Sequence, residues 1–210
     1  SYTNLRNAIL YSSSYKSDYY QRIATKQHSN SNSWNISGKA GKSIGWNKLT
    51  LSINGEYGSN HYQLLISDTP ADFKLRNAQM GISIAYHPLD FLSIEENSSL
   101  NFNHQESKET SISSHLRYFS HDLAVYIMPG HWQIEWKNEL YHSNDKTVNT
   151  SYFSNLSVSY RKKEFEMGLM CNNIFGTTRY DRRYLDNYEQ IYSITRLRPR
   201  DLIVHINFDL

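Results

Sequence analysis

Apolar and polar residues alternate with a period of two in one segment of this chain after another. The C-terminal segment shows the pattern most clearly, with apolar residues at five even positions: Leu202, Val204, Ile206, Phe208 and Leu210. The odd positions from His205 onward are polar. A period of two places successive side chains on opposite faces of an extended strand. The segment therefore predicts a strand with one apolar and one polar face.

The same alternation recurs along the whole chain and predicts an all-β, antiparallel fold. From residue 132 the sequence reads WQIEWKNELYH, with Trp and Ile on one face and Glu and Lys on the other. No stretch approaches the roughly 18 apolar residues of a membrane-spanning helix, and the mean hydropathy is -0.67. A helical membrane protein is thereby excluded, whereas a transmembrane β-barrel is not, because its strands alternate apolar and polar residues.

The alternating runs predict about ten strands, separated by connections of two kinds. The strands are expected over 5–20, 33–44, 48–66, 72–86, 91–103, 110–127, 131–142, 151–160, 164–175 and 190–210. Tight connections at 45–48, 86–91, 128–132 and 160–165 alternate with longer polar ones, including 25–33 and 176–190. An even strand number with alternating short and long connections is typical of bacterial outer-membrane barrels. A soluble β-sandwich that acts as a binding module is the alternative fold.

Two segments do not fit the expected faces. Glu96 falls on the same face as Leu92, Ile94 and Leu100, and the run 110–127 changes phase between Ser120 and Leu123. A β-bulge in each strand would restore the alternation. The sequence does not show whether such bulges are present, so the register of these two strands is left open.

Composition limits the classes of partner. Aromatic residues make up 14% of the chain, which fits the two aromatic girdles of a membrane barrel. The 22 basic and 20 acidic residues give a formal charge of +2 without a basic patch, so a nucleic-acid partner is not expected. The single cysteine, Cys171, excludes an intramolecular disulfide and a CxxC site.

The last forty residues resemble the C-terminal end of TonB-dependent outer-membrane receptors. That family has an Asn-Leu-Phe motif after the penultimate strand, a long external loop, and a Pro-Arg pair before a final strand that ends in an aromatic residue. Asn173, Ile174 and Phe175 stand at the first motif, and Pro199 and Arg200 at the second. The form LRPR is most similar to the subgroup with a carboxypeptidase-regulatory-like extension. Ile in place of Leu, and Leu210 as the last residue, depart from the family pattern.

The resemblance implies that residues 1–210 form one segment of a larger barrel of about 22 strands. The signal peptide, the plug domain and the earlier strands would then lie outside this chain. The implied function is the C-terminal barrel wall of a receptor that imports a nutrient across the Gram-negative outer membrane. Implied partners are outer-membrane lipid and lipopolysaccharide, the plug and preceding strands, the TonB complex acting through the plug, and the barrel-assembly machinery.

Three groups of residues are candidates for functional sites. Glu135, Lys137 and Glu139 alternate on one face and are predicted to face the lumen, although cross-strand charge pairing would explain them without a ligand. The Tyr- and Arg-rich connection is predicted to be either an external binding loop or a solvated loop whose arginines meet lipopolysaccharide phosphates, with Arg179, Tyr180, Arg182, Arg183 and Tyr184 as the candidate residues. The apolar face of the last strand, from Leu202 to Leu210, resembles the signal read during barrel assembly.

Chemistry by this chain itself is not expected. The nine histidines form no HExxH or other close spacing with acidic residues, so we predict no metal site, no cofactor and no catalytic residue. A complete ten-stranded barrel with a structural, interaction or hydrolase role is the second hypothesis. It would need residues 5–15 to pair with 203–210, and a Ser and a His would have to meet across strands.

Overall fold

The chain forms twelve β-strands, as seen in a computed structural model that describes residues 1–16, 19–45, 48–66, 69–107, 109, 111–186 and 189–208. The strands are β1 (Tyr2–Lys16), β2 (Tyr19–Ile44), β3 (Leu49–Ile66), β4 (Thr69–Leu89), β5 (Leu92–Ser107), β6 (Ile112–Ile127), β7 (Trp132–Ser143), β8 (Ser151–Lys162), β9 (Phe165–Asn172), β10 (Arg179–Asp186), β11 (Glu189–Arg196) and β12 (Asp201–Phe208). The described residues contain no helix that could cross a membrane.

Ten of these strands make one antiparallel sheet. Its order is β1-β2-β3-β4-β5-β6-β7-β8-β9-β12, so each neighbouring pair except the last is a hairpin. β10 and β11 form a separate two-stranded sheet between β9 and β12. The prediction of an all-β antiparallel fold with about ten strands is confirmed.

The sheet has two unpaired sides. Among the described residues, β1 and β12 are not paired with each other, and β1 makes one further, parallel pairing between Ser12 and Leu65 of β3. β2 is longer than β1, so that its residues 36–44 pair only with β3. Closure between residues 5–15 and 203–210 is therefore not seen in the described part of the chain.

The four predicted tight connections all lie at one edge of the sheet. They join β2 to β3, β4 to β5, β6 to β7 and β8 to β9. Residues with positive φ support three of these turns: Lys48 (47°), Gly130 (62°) and Lys163 (53°). The predicted tight connections therefore lie together. The expected alternation in length is not general, because β1 and β2, like β3 and β4, are separated by only two residues.

Two predicted connections prove to be strands. The polar segment 25–33 lies inside β2, paired with β1. The segment 176–190 contains β10 and the start of β11, and the single strand expected over 190–210 is divided into β11 and β12. Here both faces are polar, so the apolar period that marks a strand elsewhere is absent.

No β-bulge lies near residue 96 or 120 in the described strands, which settles the register that the sequence left open. β5 and β6 pair without a register shift from Leu92 with Ile127 to Ser107 with Ile112. β6 and β7 also pair without interruption. Glu96 therefore lies on the same face as its apolar neighbours, and polar residues interrupt that face.

Candidate functional site: two faces and a clamped hairpin

One face of the sheet, called here the apolar face, carries a continuous band of aliphatic side chains. The cross-strand register places the following residues on it: Leu51, Ile53, Ile82, Ile84, Ile94, Leu100, Leu123, Val125, Ile134, Leu156, Val158, Met167, Leu169, Leu202, Val204 and Ile206. Many are more than one-third exposed, including Ile53, Ile82 and Val204. No second sheet among the described residues covers this band.

Aromatic residues border the band on both sides. The lower aromatic row, near the tight turns, contains Tyr86, Trp132, Tyr160, Phe165 and Phe208; the upper row contains Trp34, Tyr57, Phe102, Phe119 and Tyr152. Neighbouring rings are in contact, with centroids 5.0 Å apart for Trp132 and Tyr160 and 5.2 Å for Trp34 and Tyr57. On β8 the lower row is represented by Tyr160 and the upper row by Tyr152, and these two residues are about 27 Å apart along the strand.

Beyond the upper row the same face becomes charged. Arg76 Nη2 donates to Glu106 at 3.2 Å, His104 Nε2 lies 3.2 Å from Glu106, and the His104 and His115 rings stack at 4.0 Å. The hydrogen bond with His104 lowers the pKa of Glu106, with a smaller contribution from Arg76. The face therefore changes from aliphatic to aromatic to ionic along the strands.

The opposite, polar face carries the three residues predicted to face a lumen. Glu135, Lys137 and Glu139 all lie on it, and Glu135 forms an ion pair with Lys137. The Lys137 ammonium also lies 5.9 Å from the centroid of the Tyr126 ring, and Glu139 faces Asp122 across the strands. Pairing within the face accounts for Glu135 and Lys137 without a ligand.

The predicted external loop contains strand β10 and the start of β11, and β10 packs over the polar face. The Tyr180 ring contacts those of Tyr141 and Phe153, with centroids 6.0 and 5.5 Å apart. The Arg182 guanidinium lies 4.9 Å from the Tyr180 ring centroid and 5.8 Å from that of Tyr141. Aromatic contacts thus hold β10 against β7 and β8.

Two of the predicted loop arginines pair with acidic residues of this chain. Arg179 donates to Asp181 and, at 2.6 Å, to the Tyr192 hydroxyl, while Arg183 pairs with Asp145. Asp181 is fully buried and accepts a further bond from Asn149 at 3.1 Å. Burial opposes ionisation of Asp181, but the hydrogen bond and charge of Arg179 outweigh it and lower its pKa. Arg182 lies over the Tyr180 and Tyr141 rings and pairs with no acidic side chain among the described residues. The side chain of Tyr184 lies outside the described residues.

Asn173 joins the two motifs that carry the family resemblance. Its Nδ2 amide donates to the carbonyls of Thr177, Arg198 and Pro199, at 2.7, 3.0 and 3.0 Å. Its Oδ1 accepts from the backbone N–H of Thr177 at 2.9 Å. Asn173 itself adopts a φ of 51°, which Asn tolerates better than most residues. The buried side chain therefore connects the end of β9 with the segment that leads into β12.

Arg200 and Phe175 complete this junction, called here the Asn173 junction. Arg200 Nε donates to the Ile174 carbonyl at 2.8 Å, and the Phe175 ring lies 5.2 Å from that of Tyr152. β12 then pairs with β9 from Asp201 opposite Asn172 to Phe208 opposite Phe165. Sequence reasoning found these residues by resemblance and missed their shared hydrogen bonds.

The predicted assembly signal lies on the apolar face at the free edge of the sheet. Leu202, Val204, Ile206 and Phe208 are each more than half exposed. The side of β12 away from β9 has no strand partner among the described residues. Leu210 lies outside the described residues.

A Ser, a His and a Glu meet on the apolar face, a group that sequence reasoning did not identify. Ser98 Oγ lies 2.9 Å from His121 Nδ1, Glu96 Oε1 lies 3.2 Å from the same nitrogen, and the Ser98 hydroxyl also donates to Glu96. A catalytic triad needs the nucleophile and the acid on different imidazole nitrogens. Because both contact Nδ1, this trio is not arranged as a triad. Among the described residues, no group of three metal-ligating side chains is present.

Comparisons with protein-family models, with curated proteins and with solved structures find no match to this chain.

Proposed function

We propose that this chain is the C-terminal wall of a transmembrane β-barrel belonging to a TonB-dependent receptor that imports a nutrient across the Gram-negative outer membrane. The observation that carries the membrane part of the proposal is the apolar band between two aromatic rows. Nine residues of β8 cross it, within the 9 to 11 residues of a tilted spanning strand. A soluble β-sandwich would cover such a face with a second sheet.

The unpaired strands support a segment of a larger barrel over a complete small one. An open sheet cannot remain in lipid, because each unpaired backbone group costs several kcal/mol there. In the proposed receptor, earlier strands pair with β1 and β2 on one side, and the first strand of the barrel pairs with β12 on the other. A barrel of about 22 strands would be wide enough to surround a plug domain.

The receptor assignment is supported by the resemblance of the C-terminal residues and by the geometry of the Asn173 junction. The two motifs lie far apart in sequence, yet Asn173 bonds directly to Pro199 and Arg200 bonds to Ile174. The junction gives both motifs one shared role, which is to position the last strand. That strand would then present Leu202 to Phe208 to the assembly machinery.

The remaining proposed partners follow from the two faces. Glu135, Lys137 and Glu139 would line the lumen beside the plug, on which the TonB complex acts, and Arg182 would face substrate outside the cell. Outer-membrane lipid would cover the apolar band. Lipopolysaccharide phosphates would lie near Arg76, just above the upper aromatic row, because guanidinium groups bind phosphate strongly.

Spin labelling in the full-length protein tests the membrane orientation of the sheet. Labels at Ile53 and Ile82 are expected to be accessible to oxygen dissolved in lipid, and labels at their neighbours Asn54 and Ser83 to a water-soluble relaxation agent. The neighbours are matched controls because they share the same strands and height. Equal accessibility of both pairs to the water-soluble agent would refute the membrane assignment.

The mass of the natural polypeptide tests the receptor assignment separately. We expect a detergent-extracted outer-membrane protein that contains the sequence RLRPRDLIVHINF to have several times the 24.6 kDa of this chain. Loss of its gene and loss of TonB should then abolish uptake of the same nutrient. A membrane protein of about 24.6 kDa would overturn the receptor proposal and leave the small barrel.

A further inference from the structure

The trio Glu96, Ser98 and His121, called here the polar trio, lies in the middle of the apolar band. On β5 the band runs from Leu92 to Phe102, so Glu96 is about 14 Å along the strand from its lower end and about 20 Å from its upper end. The side chains of Glu96 and His121 are 17% and 30% exposed. Lipid headgroups at either border are too distant to solvate them.

The polar side chains on the next two strands are covered by aromatic rings, whereas Glu96 and His121 are partly exposed, although the buried Asn138 Nδ2 has no hydrogen-bond partner among the described residues. Trp136 Nε1 donates to Ser154 at 2.9 Å, and the Tyr152 hydroxyl donates to Asn138 at 2.9 Å. Ser154 is 1% exposed and Asn138 is 4% exposed, so the two aromatic rings cover this pair of polar groups. β7 and β8 therefore present rings rather than polar atoms at the surface.

The trio has one donor and one acceptor left over. One proton is shared between His121 Nδ1 and Glu96 Oε1, and whichever atom holds it, the Nε2–H of His121 has no acceptor among the described residues. Glu96 Oε2 likewise accepts no hydrogen bond from the described residues. Hydrocarbon offers neither a donor nor an acceptor, and ionisable residues within a membrane almost always have a partner.

We propose that the polar trio is a contact between two copies of this chain within the membrane. A two-fold axis along the membrane normal would place Nε2–H of His121 against Glu96 Oε2 of the second copy, and the reverse pair would form at the same time. One donor beside one acceptor makes the trio self-complementary. This inference rests on the proposed membrane orientation, because a polar trio in water would need no partner.

The surroundings of the trio suit such a contact. Leu123, Leu100 and Phe119 flank it on the apolar face, so the two hydrogen-bonded pairs would be enclosed by apolar side chains. A convex barrel wall touches its neighbour along only a few strands, and the trio lies on the adjacent pair β5 and β6. Interhelical polar contacts in membranes contribute modestly, and two of them together correspond to about a tenfold change in dimer population.

Cross-linking of the full-length protein in its native outer membrane tests the contact. In a variant without Cys171, a cysteine placed at Leu123 is expected to give a cross-linked product of twice the mass with a short thiol reagent. A cysteine at Ile53 is the control, since it lies at a similar height on the apolar face three strands away. Glu96→Leu or His121→Leu should reduce the Leu123 product about tenfold. The exchanged variant Glu96→His with His121→Glu should retain the product, since it keeps one donor and one acceptor.

The outcomes separate this inference from the proposed function. Heat-modifiable migration and extraction with the outer membrane establish that each variant is a folded barrel. Three results in a folded barrel would overturn the two-copy contact and leave the receptor proposal standing. They are no cross-linked product from the cysteine at Leu123, equal products from the cysteines at Leu123 and Ile53, or a product that does not have twice the mass. A chain that is not extracted with the membrane overturns both. A product confined to Leu123 and lost in the leucine variants supports the contact.

Discussion

Removing the Asn173 side chain should loosen the attachment of the last strand. The side chain supplies two amide hydrogens to three carbonyls and one oxygen to the Thr177 N–H. At about 1 kcal/mol for each of three bonds, Asn173→Gly should cost about 3 kcal/mol. Asn173→Ala should cost about 1 kcal/mol more, because alanine at a φ of 51° is strained whereas glycine is not.

Hydrogen exchange of the full-length protein in detergent measures this loss locally. A cost of about 3 kcal/mol corresponds to roughly hundredfold faster exchange of the amides in residues 197–208. Asn207→Ala, on the polar face of the same strand, is the control and should change exchange little. Two results would refute the reasoning: wild-type exchange rates in Asn173→Ala, or faster exchange in the glycine variant than in the alanine variant.

Three other predictions concern the apolar face, the hairpin and the last strand. Ile82→Arg, in the middle of the apolar band, should lower the stability of the folded barrel by about 2 to 4 kcal/mol, whereas Ser83→Arg on the polar face should be tolerated. The folded fraction on heat-modifiable gels measures this difference, and equal losses would contradict the assigned faces. Because the pKa of Asp181 is lowered in the folded state, its ion pair stabilises the hairpin above pH 3.8 and is lost as the pH falls below it, so proteolysis of 179–196 should rise there in the wild type. The Asp181→Asn variant should be cleaved readily at neutral pH, and unchanged cleavage would show that Asp181 does not hold the hairpin in place. Phe208→Ala should slow assembly in a pulse-chase experiment more than Asn207→Ala does, because it removes the contact of the Phe208 ring with Phe165 of the neighbouring strand and one apolar residue of the predicted signal. Similar rates would refute the assembly role.

The sequence predicted strands best where one face is apolar and the other polar. β3 and β7 were placed within one residue of their ends, because each begins after a tight turn with three alternating apolar residues, Leu49, Leu51 and Ile53 in β3 and Trp132, Ile134 and Trp136 in β7. The segment 25–33 was missed because it extends beyond the apolar band, where both faces are polar. β10 and β11 were also missed, because their Tyr and Arg residues do not produce an alternation of apolar and polar positions.

The candidate sites were predicted less completely, since side-chain pairing depends on cross-strand register. Asn173 and Arg200 were recognised as parts of separate motifs, but their hydrogen bonds needed β9 and β12 to be aligned. Arg179 and Arg183 were expected to bind a ligand, and their acidic partners Asp181 and Asp145 were not recognised. Glu96 was treated as a register fault, because its partner His121 lies on the next strand.

The connection between β9 and β12 has a consequence for the order of folding. Every other neighbouring pair in the large sheet joins strands that follow one another closely in sequence, so the sheet can form hairpin by hairpin from either direction. The last pair must first close the segment 173–200, at an entropic cost of about 3 kcal/mol if that segment is disordered. Prior formation of the β10–β11 hairpin shortens the free loop and lowers that cost. The final strand is therefore expected to dock late, after the hairpin and the Asn173 junction have formed.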